Sequence, residues 1–205
     1  MFVRKNMKEI DSLPIETHPF PPFMPEGATV LIMGTFPPKS NRWSMEFYYP
    51  NPINDFWRIM GLIFLGNKDA LWLPSEKKFD EQAIRALMSE HHIALNDTGH
   101  SIRRLKDNAS DKFLDIIEPV PLASLLEQMP QCRYLATTGE KAADTLAAIT
   151  GSVAPKMGEW SDAVYDNPPR ELHITRLPST SRAYPMKLEQ KAEYYRQFLH
   201  KAGAI

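Results

Sequence analysis

Chemistry in this chain is most concentrated between Tyr48 and Trp57, where Tyr48-Tyr-Pro-Asn-Pro-Ile-Asn-Asp-Phe-Trp57 sets aromatic side chains on both sides of a proline turn that carries polar ones. Prolines fix the backbone, so Tyr48 or Tyr49 can be held as a flat platform on which a planar ring stacks. The turn carries two asparagines, Asn51 and Asn54, with Asp55 following the second. The bland readings are that Asn54 only caps a helix and that Phe47, Tyr48, Phe56 and Trp57 only fill a core. For Phe56 and Trp57, at the start of an amphipathic stretch, the core reading is preferred. For Tyr49, inside the turn, both stay open.

Several other chemistries fail on spacing. Gly34-Thr-Phe-Pro-Pro offers one glycine where close approach to a pyrophosphate needs two or three. Thr138-Gly-Glu-Lys141 lacks the upstream glycine and the following Ser or Thr of a nucleotide-triphosphate loop, and no Gly-x-Ser-x-Gly elbow occurs. The six histidines form no paired pattern on a helix face with a carboxylate partner, so no metal is expected. Cys132 is the single cysteine, which excludes internal disulfides, four-cysteine zinc sites and thiolate-held iron–sulfur clusters. It reads as a buried apolar residue.

The elements that must position these residues follow from periodicity. Thr29 to Met33 is a buried strand running into Gly34 and a proline-rich loop. Helices fit Asp55 to Leu65, with Asn54 as N-cap, and Asp80 to His92. Ile93 to Leu95 is a short strand ending at Asn96-Asp97, and Pro119 to Gln128 suits a helix with proline in its first turn. Strand Arg133 to Ala136, helix Lys141 to Ile149, strand Leu172 to Leu177 and helix Leu188 to Lys201 complete the pattern, while Gly66 to Lys78 reads as an insertion. Strands alternating with helices predict an α/β fold with a largely parallel sheet, because parallel strands need crossover connections. Ligands of such sheets sit beyond the carboxyl ends of the strands. The loops Gly34 to Trp57, Asn96 to Arg104, Thr137 to Lys141 and Pro178 to Tyr184 are therefore the ones expected to hold a site.

With 205 residues the chain reads as one domain, 1–205, long enough for a substantial core. Its 43% hydrophobic and 24% charged residues are ordinary globular values and exclude a disordered tail, a coiled coil or a collagen-like rod. Eighteen prolines against nine glycines predict fairly rigid loops. No apolar stretch is long enough to span a bilayer, and Met1 to Lys8 shows no leader pattern, so a cytoplasmic protein without membrane association is expected. A net charge of −1 shows no overall basic excess, which leaves nucleic-acid binding to a local basic patch.

Gly34-Thr-Phe-Pro37, Tyr48 to Trp57, Ile93-Ala-Leu-Asn-Asp97, Thr138-Gly-Glu-Lys-Ala142 and Leu177-Pro-Ser-Thr-Ser181, in that order, resemble the successive motifs of the uracil-DNA glycosylase superfamily. The nearest likeness is to its hypoxanthine-DNA glycosylase branch, and next to the mismatch-specific uracil/thymine branch. It covers residues of about 29 to 184. The resemblance implies a three-layer α/β/α sandwich around a four-stranded, mostly parallel sheet. It also implies a monofunctional hydrolase of base excision repair. Such an enzyme would flip a deaminated base, uracil or hypoxanthine, out of double- or single-stranded DNA and cut its N-glycosidic bond. No cofactor is implied, since Cys132 alone cannot supply the four-cysteine cluster of some branches. A monomer is expected.

By position, the resemblance assigns water activation to Asn54, with Asp55 beside it, and base binding to Gly34, Thr35, Phe36, Tyr49, Asn96 and Asp97. DNA contacts fall to Pro178, Ser179, Thr180, Ser181, Arg182 and Lys141. Two positions depart from the family pattern. Phe36 stands where many members carry an Asp or Asn that positions water, and Leu177 where many carry a histidine that stabilises the departing base. Neither side chain has a lone pair or a donor for those tasks. A family-like protein that binds DNA or nucleobase without cutting, or an unrelated α/β enzyme of a small polar metabolite, are the competing readings.

Overall fold

The computed structural model describes residues 10–106 and 110–205, so the leader reading at Met1 to Lys8 falls outside the described residues. Its centre is a five-stranded sheet built from β2 (Val30–Gly34), β5 (Ile93–Asp97), β8 (Tyr134–Thr138), β9 (Trp160–Asp166) and β10 (Pro169–Leu177), in the order β5-β2-β8-β10-β9. Four of these strands, β5, β2, β8 and β10, run parallel, and β9 closes the edge antiparallel to β10. The four-stranded parallel sheet expected from the sequence is present, with β9 as an addition.

β2 is buried at every residue, as a strand covered on both faces must be. Its alternate side chains feed two cores. Val30 and Ile32 pack with helices α1 (Phe56–Leu65), α2 (Glu81–Glu90) and α5 (Leu188–Lys201), whereas Leu31 and Met33 pack with α3 (Leu122–Gln128) and α4 (Glu140–Thr150). This gives the three-layer α/β/α sandwich. α1 begins one residue later than expected, with Asp55 as its N-cap. It stops at Gly66, whose φ of 69° is the left-handed conformation that favours glycine after a helix. Asp80 caps α2 by accepting the Ala83 amide at 3.0 Å.

Two stretches differ from the sequence expectation. Gly99–Arg104, expected as part of a loop, is strand β6, which pairs antiparallel with β1 (Ile15–Thr17) and β7 (Leu114–Pro119) in a second, three-stranded sheet. Its charged residues conceal it, because Arg104 is buried against a bidentate contact from Glu16. Pro119 belongs to β7, so the helix expected from that residue starts at Leu122. The insertion at Gly66 to Lys78 contributes most of a small hairpin, β3 (Trp72–Leu73) with β4 (Lys78–Phe79).

Register matters most at the strand ends. Gly34 pairs with Asp97, Met33 with Thr137 and Leu177 with Thr138, so four strands stop at one level. The loop that follows β2 folds back as an aromatic wedge in which Trp57, fully buried, donates its indole N–H to the Tyr48 carbonyl at 2.9 Å. Trp57→Ala is expected to destabilise the protein by about 3–5 kcal/mol in urea melts, through the cavity and the lost hydrogen bond.

Candidate active site

Gly34 marks the floor of the site. A Cβ there would lie 2.5 Å from Asp97 Oδ1 and 3.3 Å from the Tyr49 hydroxyl, so the strand end must lack a side chain for this carboxylate and phenol to approach it. Tyr49 stacks flat on Phe56, with centroids 3.7 Å apart at 10°, and its hydroxyl is 3.1 Å from Thr138 Oγ1. Its φ of 51° is unusual for a residue with a side chain and fixes the phenol in that direction. Burial, then the Asp97 charge, holds the phenol well above its ordinary pKa, so it stays protonated.

Asp97 is itself buried and accepts Nε2–H of His18 at 2.9 Å. His18 arrives from the segment between β1 and β2, lies edge-on to Phe36 at 5.3 Å and parallel to Tyr48 at 5.7 Å. Burial works against its imidazolium. The Asp97 hydrogen bond and charge, with help from the Phe20 carbonyl, outweigh that and raise its pKa above the usual histidine value.

A second carboxylate stands beside this pair. Thr35 Oγ1 donates to Asp111 Oδ2 at 2.8 Å. Burial pushes the Asp111 carboxyl up to about 6 and the Asp97 charge adds to it, against the Thr35 hydrogen bond and the positive charges of Lys141 and Arg104. Lys141, at the start of α4, therefore faces this acidic corner electrostatically.

Asn54 and Asp55 divide their tasks. Asn54 Oδ1 accepts the Phe56 amide at 2.9 Å, so the helix-capping bond expected of Asn54 is made although Asp55 is the cap residue. The Asp55 carboxylate is occupied: Oδ2 accepts the Lys191 ammonium at 3.0 Å and Oδ1 accepts Arg182 Nε at 3.2 Å. Lys191, fully buried, also donates to the Ser181 carbonyl at 2.8 Å. Asp55 thus anchors both cations to the start of α1.

The Asp55 amide donates to the Thr180 carbonyl at 2.9 Å, which ties the start of α1 to the loop after β10. In that loop Pro178 accepts the Tyr195 hydroxyl, Thr180 is buried, and Ser179 and Ser181 hydroxyls accept the amides two residues on. Arg182 is half exposed. Asn96 is buried with its Oδ1 at 3.0 Å from the Tyr48 hydroxyl. The structure thus gathers Gly34, Tyr49 and Asp97 in one cluster, Thr35 with Asp111 in a second, and Asp55, Thr180, Ser181 and Arg182 in a third. Phe36 lies against His18, and Leu177 is buried in the core.

His18, Asp111, Thr138 and Lys191 carry much of this geometry, and sequence reasoning did not single them out. Lys191 left a signal, since it falls inside the stripe Leu188, Ala192, Tyr195, Phe198 and Leu199 that α5 turns to its neighbours. The other three meet their partners only across long sequence separations, which no local spacing records.

No protein-family model matches the chain. No curated protein matches it. Among solved structures, the chain is similar to the solution NMR structure of a candidate uracil DNA glycosylase from Methanosarcina acetivorans, at 23% sequence identity, covering 91% of this chain and 98% of that one, with a TM-score of 0.59. The two chains share a fold. Among the described residues, no helix is long and apolar enough to cross a membrane.

Two outcomes test the electrostatics. Lys191→Met leaves Asp55 buried without its closest cation, and is expected to lower stability by about 3–5 kcal/mol in denaturant melts. The Asp111 carboxyl titrates near 6 when folded and about 4 when unfolded. Between those values the folded state holds the extra proton, so this group makes stability fall as pH rises. Asp111→Asn is expected to flatten that fall when unfolding is measured from pH 4 to pH 7.

Proposed function

We propose that this protein is a DNA glycosylase that hydrolyses the N-glycosidic bond of a deaminated base, uracil or hypoxanthine, in a base flipped out of DNA. The observation that carries the reading is the meeting, at the carboxyl ends of parallel strands, of Asp97 with the bare Gly34 and the stacked Tyr49. Asn54 stands one residue before Asp55, whose amide is tied to the Thr180 carbonyl in the loop after β10. The fold shared with the Methanosarcina acetivorans protein supports it.

Each part has a task. Asp97 can only accept a hydrogen bond when ionised, so it favours a base with a ring N–H: hypoxanthine at N1 or uracil at N3. Adenine and cytosine carry an acceptor nitrogen at those positions and are repelled. Tyr49, backed by Phe56, presents its remaining face to the flipped ring. Cleavage builds positive charge on the sugar and negative charge on the base. The sugar cation needs a placed water more than a strong base, and the Asn54 carboxamide, with one lone pair on the Phe56 amide, retains a second lone pair and its NH2 for that water. Leu177 and Phe36 offer no donor, so the departing base is met by backbone amides and the Lys141 ammonium. Ser179, Thr180, Ser181 and Arg182 form the loop that follows the DNA backbone.

The same departures support a second reading, a protein that binds a damaged base without cutting. Phe36 and Leu177 lack polar groups, and Asp55 is held in ion pairs. Labelled duplexes carrying one uracil, hypoxanthine, xanthine or G·T mismatch, treated with alkali after incubation, separate the two. Wild type is expected to cut a uracil or hypoxanthine duplex, and Asn54→Ala to cut about 100-fold more slowly or worse. Full cleavage by a folded Asn54→Ala protein overturns the role of Asn54. Saturable binding with no abasic product favours the binder, and neither binding nor product favours an enzyme of a small metabolite.

A further inference from the structure

We infer that the cleft between the turn that carries Lys68 and Asp69, the start of α1 and the loop after β10 is a binding site for a DNA backbone phosphate, and that the β3–β4 hairpin supports it through Arg58. The inference rests on the DNA-directed reading above and extends it to residues that reading leaves unused.

The cleft encloses about 410 Å³ and is lined by Asp55, Arg58, Lys68, Asp69, Arg182 and Met186, with Leu188 at its edge. Arg58 is its fixed wall. Its Nη1 donates to the Pro52 carbonyl at 2.8 Å and reaches the Asn54 carbonyl at 3.5 Å. Its guanidinium carbon lies 5.4 Å from the Trp72 ring and 5.2 Å from the Phe79 ring, one from each hairpin strand. Asp69, from the same insertion, sits 3.7 Å from Nε. Among the described residues Nη2 makes no hydrogen bond, which leaves a donor for an incoming oxygen.

The charges around the cleft are unbalanced. Arg58, Lys68 and Arg182 line it, and Lys191 stands behind Asp55, against the two carboxylates of Asp55 and Asp69. Lys68 makes no ion pair among the described residues. Burial, followed by repulsion from Arg182, lowers the Arg58 pKa against the opposing pull of Asp69 and Asp55. A phosphodiester relieves that repulsion and suits the guanidinium fork. Because Arg58 also holds the Pro52 and Asn54 carbonyls, a strand gripped here lies alongside the loop that carries Asn54. With a net charge of −1 over the whole chain, this local cluster supplies the basic patch that DNA binding requires.

The test is the salt dependence of binding to a labelled duplex containing a tetrahydrofuran abasic analogue, followed by fluorescence anisotropy. Lys68→Gln removes a charge from an exposed side chain of the cleft. Lys201→Gln removes the same charge at the far end of the sheet, where the chain end bonds His91 just before β5. The slope of log affinity against log salt is expected to become shallower by about 0.9 in Lys68→Gln, one phosphate's share, and to stay unchanged in Lys201→Gln. Equal slopes in wild type and Lys68→Gln, or equal losses in both variants, overturn the inference while leaving the glycosylase reading standing. Displacement of the duplex by inorganic phosphate at constant ionic strength makes the cleft a free-anion site and also overturns it. Wild type that binds no duplex sinks the DNA-directed reading itself.

Discussion

The buried ammonium of Lys191 holds together three parts of the chain that share no sequence neighbourhood. It reaches Asp55 at the start of α1 and the Ser181 carbonyl in the loop after β10, from a position inside α5. A charge this deep is tolerated only when it is paired and its protons are satisfied. The pairing therefore fixes where α1 begins, how the Pro178 to Tyr184 loop lies and how α5 is rotated. Asn54, one residue before Asp55, inherits its place from that arrangement.

The other constraint is the absence of a side chain at Gly34. Parallel strands that end at one level bring Asp97 and Tyr49 to the tip of β2, and only a bare Cα leaves room for both. His18 then balances the Asp97 charge from one side, and Thr35 links the strand to Asp111 on the other. The outcome is a small acidic corner of two carboxylates, in which burial pushes Asp111 up to about 6 and Lys141 acts against that shift. Carboxyl groups shifted by burial among other charges cluster at functional sites.

Arg58 joins the two halves of the arrangement. Packed against Trp72 and Phe79, it links the hairpin to the proline turn at Pro52 and Asn54. The stretch that reads as an insertion is thus part of the support for the candidate site. Its contribution is invisible locally because Trp72, Phe79 and Arg58 only meet after α1 and the hairpin have docked.

Periodicity alone determined the parallel α/β sandwich, since runs such as Val30 to Met33 and the stripe of α5 must be buried on particular faces whatever their neighbours. The turn from Tyr48 to Trp57, the strand end at Gly34 and the loops that converge there were legible for the same reason: proline, glycine and apolar runs act on their own backbone. β6 and β9 were not, because their polar residues are satisfied by partners on other strands. Nor could the sequence say that Asp55 is held by Lys191 and Arg182, or that His18 and Asp111 attend Asp97. Those roles depend on charge, burial and distance between residues far apart in the chain, and only the tertiary structure sets them.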